Sequence, residues 1–399
     1  MPVVSCAWLA GAVLLGTAAA QAARAAAPDW TSSGYAGSAM PPHGGVRSFA
    51  GLPWTSCLHN EQVRFDVALL GMPFDGGVSY RPGARFGPKA IREASRRQRT
   101  NSWSLEYEQA PYEALFFMDC DDVPITPYDP AVALAQMEAA YVTLLQRTPL
   151  VSRETERGQR FATGTALRSK VIVLGGDHTV VLPILRALHK TYEQPIAVLH
   201  FDAHLDTWKV YNSPGTPTPQ SRINHGSFFA RAADEGLIDR NASVHAGLRC
   251  RTNGPMDIRH DDQVGFERVM TSDLDLLGRE GVIERIRSRI GDRPVYLSID
   301  IDVLDPSAAP GTGTLETGGW TTRELHGILR GLRGLNWIGA DIVEVSPPYD
   351  HAEITAYAAS DLVFEIANLF AVGHEVDEPD GEDELEHDAA HDARRHTEL

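Results

Sequence analysis

Three short segments of the sequence hold side chains that could bind metal ions. Together they contribute six residues, namely His178, Asp202, His204, Asp206, Asp300 and Asp302. Carboxylates and imidazoles without a cysteine form an oxygen-rich donor set, which suits Mn²⁺ better than structural zinc. Without metal, so many neighbouring carboxylates would repel one another, whereas two divalent cations would balance them and could share a hydroxide. The residue types therefore predict a two-metal hydrolytic site.

The spacing of these residues indicates that they converge. Asp202, His204 and Asp206 are two residues apart, as are Asp300 and Asp302. Alternate side chains of an extended segment point the same way. Each segment also follows directly on an apolar run. Because ligands of open α/β sheets bind beyond the carboxyl ends of the strands, we expect all six side chains at one edge of a sheet.

Apolar runs rich in Val, Ile, Leu and Phe predict the strands that position these segments. They are Phe65–Gly71, Ala114–Cys120, Lys170–Gly175, Ile196–Phe201, Ser243–Arg249, Phe266–Thr271, Val295–Ile301 and Trp337–Val345. Such continuous runs are typical of strands buried on both faces of a parallel sheet. Helical patterns lie between most of them, at 88–97, 130–146, 182–192, 281–290 and 322–332. The alternation predicts an α/β fold with a mostly parallel sheet of about eight strands.

The same three segments carry a family resemblance. Their letters, GGDH at 175–178, DAHLD at 202–206 and SIDIDVLDP at 298–306, resemble the metal-binding signatures of the ureohydrolase superfamily, which includes arginase and agmatinase. Further stretches resemble agmatinases in particular, namely GMPFD at 71–75, RPGARFGP at 81–88, NHG at 224–226, PGTGT at 310–314 and DIVEV at 341–345. The resemblance extends from about residue 60 to about residue 372. It implies a three-layer αβα, arginase-like fold.

The resemblance also implies which residues bind which metal ion. One manganese ion would be held by His178, Asp202, Asp206 and Asp300. The second would be held by Asp202, His204, Asp300 and Asp302. Asp202 and Asp300 would then bridge the two ions.

Three catalytic roles follow from the same resemblance. Asp206 would orient the attacking hydroxide, Glu344 would receive the guanidinium group of the substrate, and His225 would carry protons. Paired hydrogen bonds from a planar guanidinium to one carboxylate would fix the substrate carbon beside the metals. The expected products are urea and an amine.

The residues after Asp206 bear on the choice of substrate. Arginases hold the amino-acid head group with short polar residues here, whereas this chain has Thr207, Trp208 and Lys209. The bulky Trp208 favours agmatine, which lacks the α-carboxylate. The alternatives are 4-guanidinobutyrate, whose carboxylate Lys209 or Arg222 could bind, arginine, or a non-catalytic binding role on the same fold.

Composition and the two ends of the chain predict its surroundings. A net charge of −17 argues against nucleic-acid partners, since such binding depends on Lys and Arg. Residues 374–399 are acidic and predict a disordered tail. Residues 1–25, apolar and then Ala-rich, predict a cleaved signal peptide and secretion, with a membrane anchor as the alternative. The final letters HTEL leave ER retention open.

Between the two ends, the sequence predicts a loop-rich arm at 26–60 and one catalytic domain at 61–373.

Covalent modification and assembly are left open by the sequence. One disulfide could form among Cys57, Cys120 and Cys250, and Asn241-Ala242-Ser243 fits the glycosylation sequon. The resemblance implies a trimer or hexamer. Cleavage of the signal peptide would leave no stable membrane span in the mature chain.

Overall fold

The computed structural model describes residues 48–150, 168–211 and 213–372. Three predicted features lie wholly or largely outside these ranges. They are the signal peptide at 1–25, most of the arm at 26–60, and the acidic tail at 374–399. The domain boundaries remain a prediction.

The described residues form one parallel sheet of eight strands. The strands are β1 Val67–Met72, β2 Phe117–Asp122, β3 Lys170–Gly175, β4 Ala197–Phe201, β5 Val244–Leu248, β6 Glu267–Met270, β7 Val295–Asp300 and β8 Trp337–Val343. Their order across the sheet is β2-β1-β3-β8-β7-β4-β5-β6, and every paired neighbour runs parallel. All eight predicted strands are present, and the predicted parallel sheet is confirmed.

Helices connect the strands. They are α1 Gly87–Ala94, α2 Pro111–Ala114, α3 Pro130–Leu145, α4 Val181–Tyr192, α5 Phe228–Asp234, α6 Pro255–Val264, α7 Asp273–Ile290, α8 Thr322–Gly331 and α9 Ile354–Ala371. The helix expected at 281–290 begins earlier, at Asp273, and is interrupted at Gly278, where φ is 68°. The sequence analysis did not predict α2, α5, α6 and α9. The helix α9 is apolar on nearly every side because most of it is buried, so it lacks a polar face.

The helices cover both faces of the sheet. Val67 and Leu69 of β1 belong to one apolar cluster, together with side chains of α1, α7, α8 and α9. Ala68 and Leu70 belong to a second cluster with side chains of α3, α4 and α5. Successive residues of a strand point to opposite faces, so both clusters are lined by the same strands. The fold is therefore the expected three-layer αβα arrangement.

Two further features concern the covalent and membrane expectations. Cys57 and Cys120 form a disulfide that ties the N-terminal arm to β2, and Cys250 is free. Among the described helices, α9 alone is long and apolar enough to cross a membrane, and 78% of that stretch is buried inside the protein. Such burial is typical of a core helix.

The sheet topology brings the chemical segments together. The central strands β3, β8, β7 and β4 are consecutive neighbours. His178 lies just beyond β3, Glu344 just beyond β8, Asp300 ends β7, and Asp202 follows β4. Four adjacent strands therefore deliver their carboxyl-end residues to one place, as the sequence predicted.

Candidate metal centre

One group of donor atoms surrounds the His178 imidazole. Its Nδ1 atom lies 3.1 Å from Asp202 Oδ2, 3.1 Å from Asp206 Oδ2 and 3.2 Å from Asp300 Oδ2. The ring is fully buried, and the three carboxylates are nearly so. These are the four residues that the resemblance assigns to one ion.

A second group shares Asp202 with the first. His204 Nδ1 lies 3.2 Å from Asp202 Oδ1 and 3.0 Å from Asp302 Oδ2. Ligand atoms of Asp202, His204 and Asp302 lie within 4.8 Å of one another. Asp202 therefore offers one oxygen to each group, as a bridging carboxylate would.

Hydrogen bonding determines which ring nitrogen of His178 carries the proton and which presents a lone pair. Its Nε2 lies 2.8 Å from Ser298 Oγ, and that hydroxyl donates to Asp341 Oδ1 at 2.9 Å. The hydroxyl proton is used on Asp341, so Ser298 accepts from Nε2–H and Nδ1 presents its lone pair to the carboxylates. His178 Nδ1 and Asp202 Oδ2 are buried without a hydrogen-bond partner. Buried polar atoms normally have partners, so these atoms fit a metal ion.

The electrostatics of the centre call for cations. Burial and repulsion from Asp302 and Asp202 raise the pKa of Asp300 well above its usual range. Burial and Asp202 raise the pKa of Asp302 to about 6. Within residues 48–150, 168–211 and 213–372, no Lys or Arg side chain pairs with any of the four carboxylates. Divalent ions would supply the charge that the chain does not.

Backbone conformation marks two residues of the site. Asp206 and Glu344 have φ values of 54° and 61°, in the left-handed region that non-glycine residues rarely adopt. Such conformations cost of order 1–3 kcal/mol and cluster at functional sites. Here they turn both carboxylates toward the cluster at the ends of β4 and β8. The close fit extends to Gly176, where a Cβ atom would lie 1.7 Å from the Phe74 carbonyl oxygen.

Glu344 presents one free oxygen beside the metal ligands. Its Oε1 accepts a hydrogen bond from the His178 backbone N–H at 2.9 Å and lies 3.0 Å from His225 Nδ1. Its Oε2 is buried and has no partner. An acceptor fixed in this way is suited to a cationic donor such as a guanidinium.

His225 lies between Glu344 and the loop at 77–80. Its Nε2 is 2.8 Å from Ser79 Oγ. Burial alone would lower the pKa of His225, but Glu344, Asp206 and Asp177 raise it to about 9. The Glu344 carboxylate thus favours the protonated form of the ring, whereas the Ser79 backbone N–H, which donates to Nε2 at 3.1 Å, favours the neutral form.

One residue of this region was missed by sequence reasoning. His200 Nε2 lies 2.9 Å from Asp202 Oδ2, and His200 belongs to the group His178, His200, Asp202 and Asp206 that could hold an ion. It continues the alternation of Asp202, His204 and Asp206 backward by two residues. That spacing was the available signal, but a histidine inside an apolar strand resembles a satisfied core residue.

A pocket of about 340 Å³ opens onto His204. It is lined by Tyr80, Arg81, His204, Gly313, Thr314, Leu315 and Glu316. Trp208 lies beside it, with its ring centroid 6.3 Å from that of His204 and its indole N–H bonded to Asp257. Lys209 and Arg222, the basic residues considered from sequence, do not line this pocket, whereas Arg81 does.

Known proteins resemble the chain over almost all of these elements. The model of the Arginase family matches residues 65–368. A putative agmatinase 3 of Schizosaccharomyces pombe is 47% identical over 82% of this chain and 80% of its own length. A guanidinopropionase of Pseudomonas aeruginosa is 36% identical over 83% of this chain and 94% of its own. The solved proclavaminate amidinohydrolase of Streptomyces clavuligerus superposes with a TM-score of 0.70 at 33% identity, covering 84% of this chain and all of that one.

Proposed function

The chain belongs to the arginase family, and we propose that it is a two-manganese hydrolase that converts agmatine to putrescine and urea. The observation that carries the proposal is the free Oε2 of Glu344. This carboxylate oxygen is buried without a partner, directly beside two sets of metal-binding side chains that share Asp202. An anionic receptor next to a metal pair suits a guanidinium group.

The metal ions would be held by His178, Asp202, His204, Asp206, Asp300 and Asp302. Manganese is favoured over zinc because carboxylates outnumber imidazoles and Cys250, the free thiol, is not part of the donor sets. Bound divalent ions would activate water and stabilise the charge that develops during the reaction.

Glu344 orients the substrate in this proposal. Its Oε1 is held by the His178 backbone N–H, so the carboxylate cannot rotate away when a guanidinium donates to Oε2. A charge-assisted hydrogen bond of this kind contributes about 1.5–3 kcal/mol. The buried position excludes water from the same oxygen.

His225 supplies the proton for the leaving amine. It faces the same carboxylate as the guanidinium would, through Nδ1, and Glu344 raises its pKa, to about 9 in the metal-free chain. Asp206, whose Oδ2 lies 3.1 Å from His178 Nδ1, would orient the attacking water. The water would attack the guanidinium carbon, and the proton of His225 would go to the nitrogen of the leaving amine.

Glu316 favours agmatine at the far end of the substrate. Its carboxylate lines the pocket, 3.8 Å from His204 Nε2, and could accept a hydrogen bond from a primary ammonium group. Trp208 fills the space beside His204 where an amino-acid head group would otherwise find polar partners. The relative of highest identity named above is called a putative agmatinase, which agrees with this choice.

Arg81 favours a second candidate, a guanidino acid. Its guanidinium lies 5.2 Å from the Tyr80 ring centroid and 5.1 Å from that of Tyr349, at the wall of the same pocket. A carboxylate at the substrate end could pair with this cation. The guanidinopropionase relative acts, by its name, on such a compound.

A substrate panel separates the two candidates. Urea release would be measured with agmatine, arginine and 4-guanidinobutyrate, with added Mn²⁺, for the wild type, Glu316→Gln and Arg81→Met. We expect agmatine to have the highest kcat/KM and Glu316→Gln to raise its KM about tenfold, the loss of one charged hydrogen bond. Arg81→Met is the matched control and should leave agmatine hydrolysis unchanged. Agmatine as the poorest substrate would overturn the assignment.

We further propose that the chain enters the secretory pathway and is secreted, with the ER lumen as the alternative. The apolar, Ala-rich stretch at 1–25 and the Cys57–Cys120 disulfide support an oxidising compartment. Asn241 is exposed in a turn before β5, at the edge opposite the metal centre, so a glycan there would not obstruct the pocket. Expression in a secreting eukaryotic host should give a glycosidase-sensitive mass that Asn241→Gln lacks. A protein that stays in the cytosol and still carries residues 1–25 would overturn the proposal.

We also propose a homotrimer or homohexamer, as the sequence resemblance implied. Light scattering during size-exclusion chromatography would give the mass in solution. A monomer would contradict this part of the proposal without affecting the chemistry of the site.

A further inference from the structure

A line of buried side chains leads from the metal ligand Asp202 to helix α6. His200 Nε2 lies 2.9 Å from Asp202 Oδ2, and His200 Nδ1 lies 2.7 Å from His245 Nδ1. His245 Nε2 lies 3.2 Å from Asp261 Oδ1. His200, His245 and Asp261 are all fully buried. The proposed reaction uses none of these three residues.

Packing locks both imidazoles in this line. His245 stacks on Phe266 with the ring planes 9° apart and the centroids 3.8 Å apart. His200 meets Phe229 edge to face at a centroid distance of 4.9 Å. The two histidines are register partners on the neighbouring strands β4 and β5. Rotation of either ring would break the Nδ1–Nδ1 contact.

Asp261 is the anchor at the far end. Its Oδ1 also accepts from Thr207 Oγ1 at 2.8 Å, and its Oδ2 accepts from Arg268 at 2.5 Å. Thr207 directly follows Asp206, the metal ligand with left-handed φ. Asp261 is therefore connected to two metal ligands, to Asp202 through the histidines and to Asp206 through Thr207.

The contacts of His200 distinguish it from the metal ligands. His178 Nδ1 lies among three carboxylate oxygens, as an atom facing a common centre would. His200 Nε2 contacts a carboxylate of Asp202 alone. His200 therefore supports Asp202 by contact, because both facing atoms, His200 Nε2 and Asp202 Oδ2, are buried 2.9 Å apart without a hydrogen bond.

From these contacts we infer that Asp261, His245 and His200 are positioning residues that hold the bridging carboxylate of Asp202 in its metal-binding orientation. The inference rests on the proposed two-metal site. Outer partners of metal ligands orient the ligands, and their loss typically costs about 10–100-fold in metal affinity or activity. Neither Asp261 nor His245 lines the pocket, so neither should affect the recognition of substrate.

The test compares Mn²⁺ affinity in matched variants of the full chain. Protein stripped with a chelator would be titrated with Mn²⁺ by calorimetry for the wild type, Asp261→Asn, His245→Phe and Asp262→Asn. His245→Phe keeps the stacked ring and removes both nitrogens. Asp262→Asn is the control, because Asp262 also pairs with Arg268, at 2.8 Å, but its side chain is exposed and lies outside the line from Asp261 to Asp202.

We expect the Asp261 and His245 variants to bind Mn²⁺ about 10–100-fold more weakly, with the KM for agmatine unchanged at saturating Mn²⁺. Asp262→Asn should match the wild type. Wild-type affinity in Asp261→Asn or His245→Phe, or an equal loss in Asp262→Asn, would overturn the inference.

Two controls keep other failures apart. The melting temperature of the metal-free proteins separates a folding defect from a binding defect. If His245→Phe does not fold, His245→Asn replaces it, because its amide can still reach His200. This variant should bind Mn²⁺ more tightly than Asp261→Asn and more weakly than the wild type. A wild type that binds no Mn²⁺ would instead contradict the proposed function and this inference together.

Discussion

Two clusters of aspartates lie at strand ends, and they solve the same electrostatic problem differently. At the edge strand β2, Asp119 and Asp122 are neutralised by Arg92, whose Nε lies 2.9 Å from Asp119 Oδ2 and whose Nη1 lies 2.6 Å from Asp122 Oδ1. At the central strands β4 and β7, four carboxylates have no Lys or Arg partner among the described residues. At the first cluster the cation is the guanidinium of Arg92. At the second cluster it would have to be a metal ion bound from solution.

The comparison shows what does and does not identify a metal site. Both clusters contain aspartates two residues apart, Asp119 with Asp121 and Asp300 with Asp302. Both contain an aspartate with left-handed φ, at 67° for Asp121 and 54° for Asp206. Spacing and strained backbone are thus insufficient. The distinguishing feature is the absence of a resident cation at the centre of the sheet.

Removing a ligand from the cation-poor cluster should have the largest effect. Asp302→Asn keeps the size of the side chain but weakens a metal ligand. Metal ions supply several kcal/mol of transition-state stabilisation, so we expect urea release to fall at least about 10³-fold. Bound manganese would be counted by elemental analysis. Asp121→Asn, at the other cluster, is the control and should keep both activity and metal.

Removing the resident cation should affect stability instead. Arg92→Met would leave Asp119, which is 2% exposed, buried without its partner. Breaking a buried ion pair from one side costs about 3–5 kcal/mol, measured here as the free energy of unfolding in urea. Arg293→Met removes an exposed pair with Asp239 and should cost less than about 1 kcal/mol. An Arg92 variant with normal stability but weak metal binding would show that the two clusters are not independent.

A smaller effect is expected for the substrate receptor. Glu344→Gln should lower kcat/KM for agmatine about 10²-fold, because one charge-assisted hydrogen bond contributes up to about 3 kcal/mol. Manganese content should be unchanged. Glu353→Gln is a matched control, since Glu353 also has a left-handed φ, of 59°, but lies away from the cluster at the start of α9. Unaltered kinetics in Glu344→Gln would exclude its role as receptor.

The pH dependence of the metal-free protein should show the smallest effect. The pKa of His225 is raised to about 9 in the folded chain, so its pairing with Glu344 stabilises the fold fully below the unfolded pKa of about 6.5. That contribution is lost as the pH rises through about 9. The measurement is the difference in unfolding free energy between the wild type and His225→Asn across this range. A difference independent of pH would contradict the ion pair.

The sequence could predict the central sheet because its strands are continuous apolar runs. The candidate metal-binding motifs follow directly on three of these runs. It could not predict α9, whose burial on nearly all sides removes the polar face that reveals an amphipathic helix. The connection from Asp202 to Asp261 also escaped it. That line depends on the pairing of β4 with β5 and on the placement of α6, which residue spacing along the chain does not encode.

The candidate site also contains residues that the sequence predicted and residues that only the fold reveals. Short motifs predicted the six candidate metal-binding residues and Glu344, and the structure brings them together, while their roles stay a prediction. Arg81 and Glu316 were not predictable, because they lie more than 200 residues apart in the chain and meet only in the folded pocket. In the proposed function these two residues govern substrate choice, so that part of the proposal required the fold.

The central claim, that solution supplies the cation missing from the β4 and β7 cluster, is tested most directly by one titration. Chelator-stripped protein would receive increasing Mn²⁺ while urea release from agmatine is recorded. We predict no urea without metal and activity that rises to a plateau at two equivalents per chain. Full activity in the stripped protein, or a plateau at one equivalent, would contradict the two-metal account.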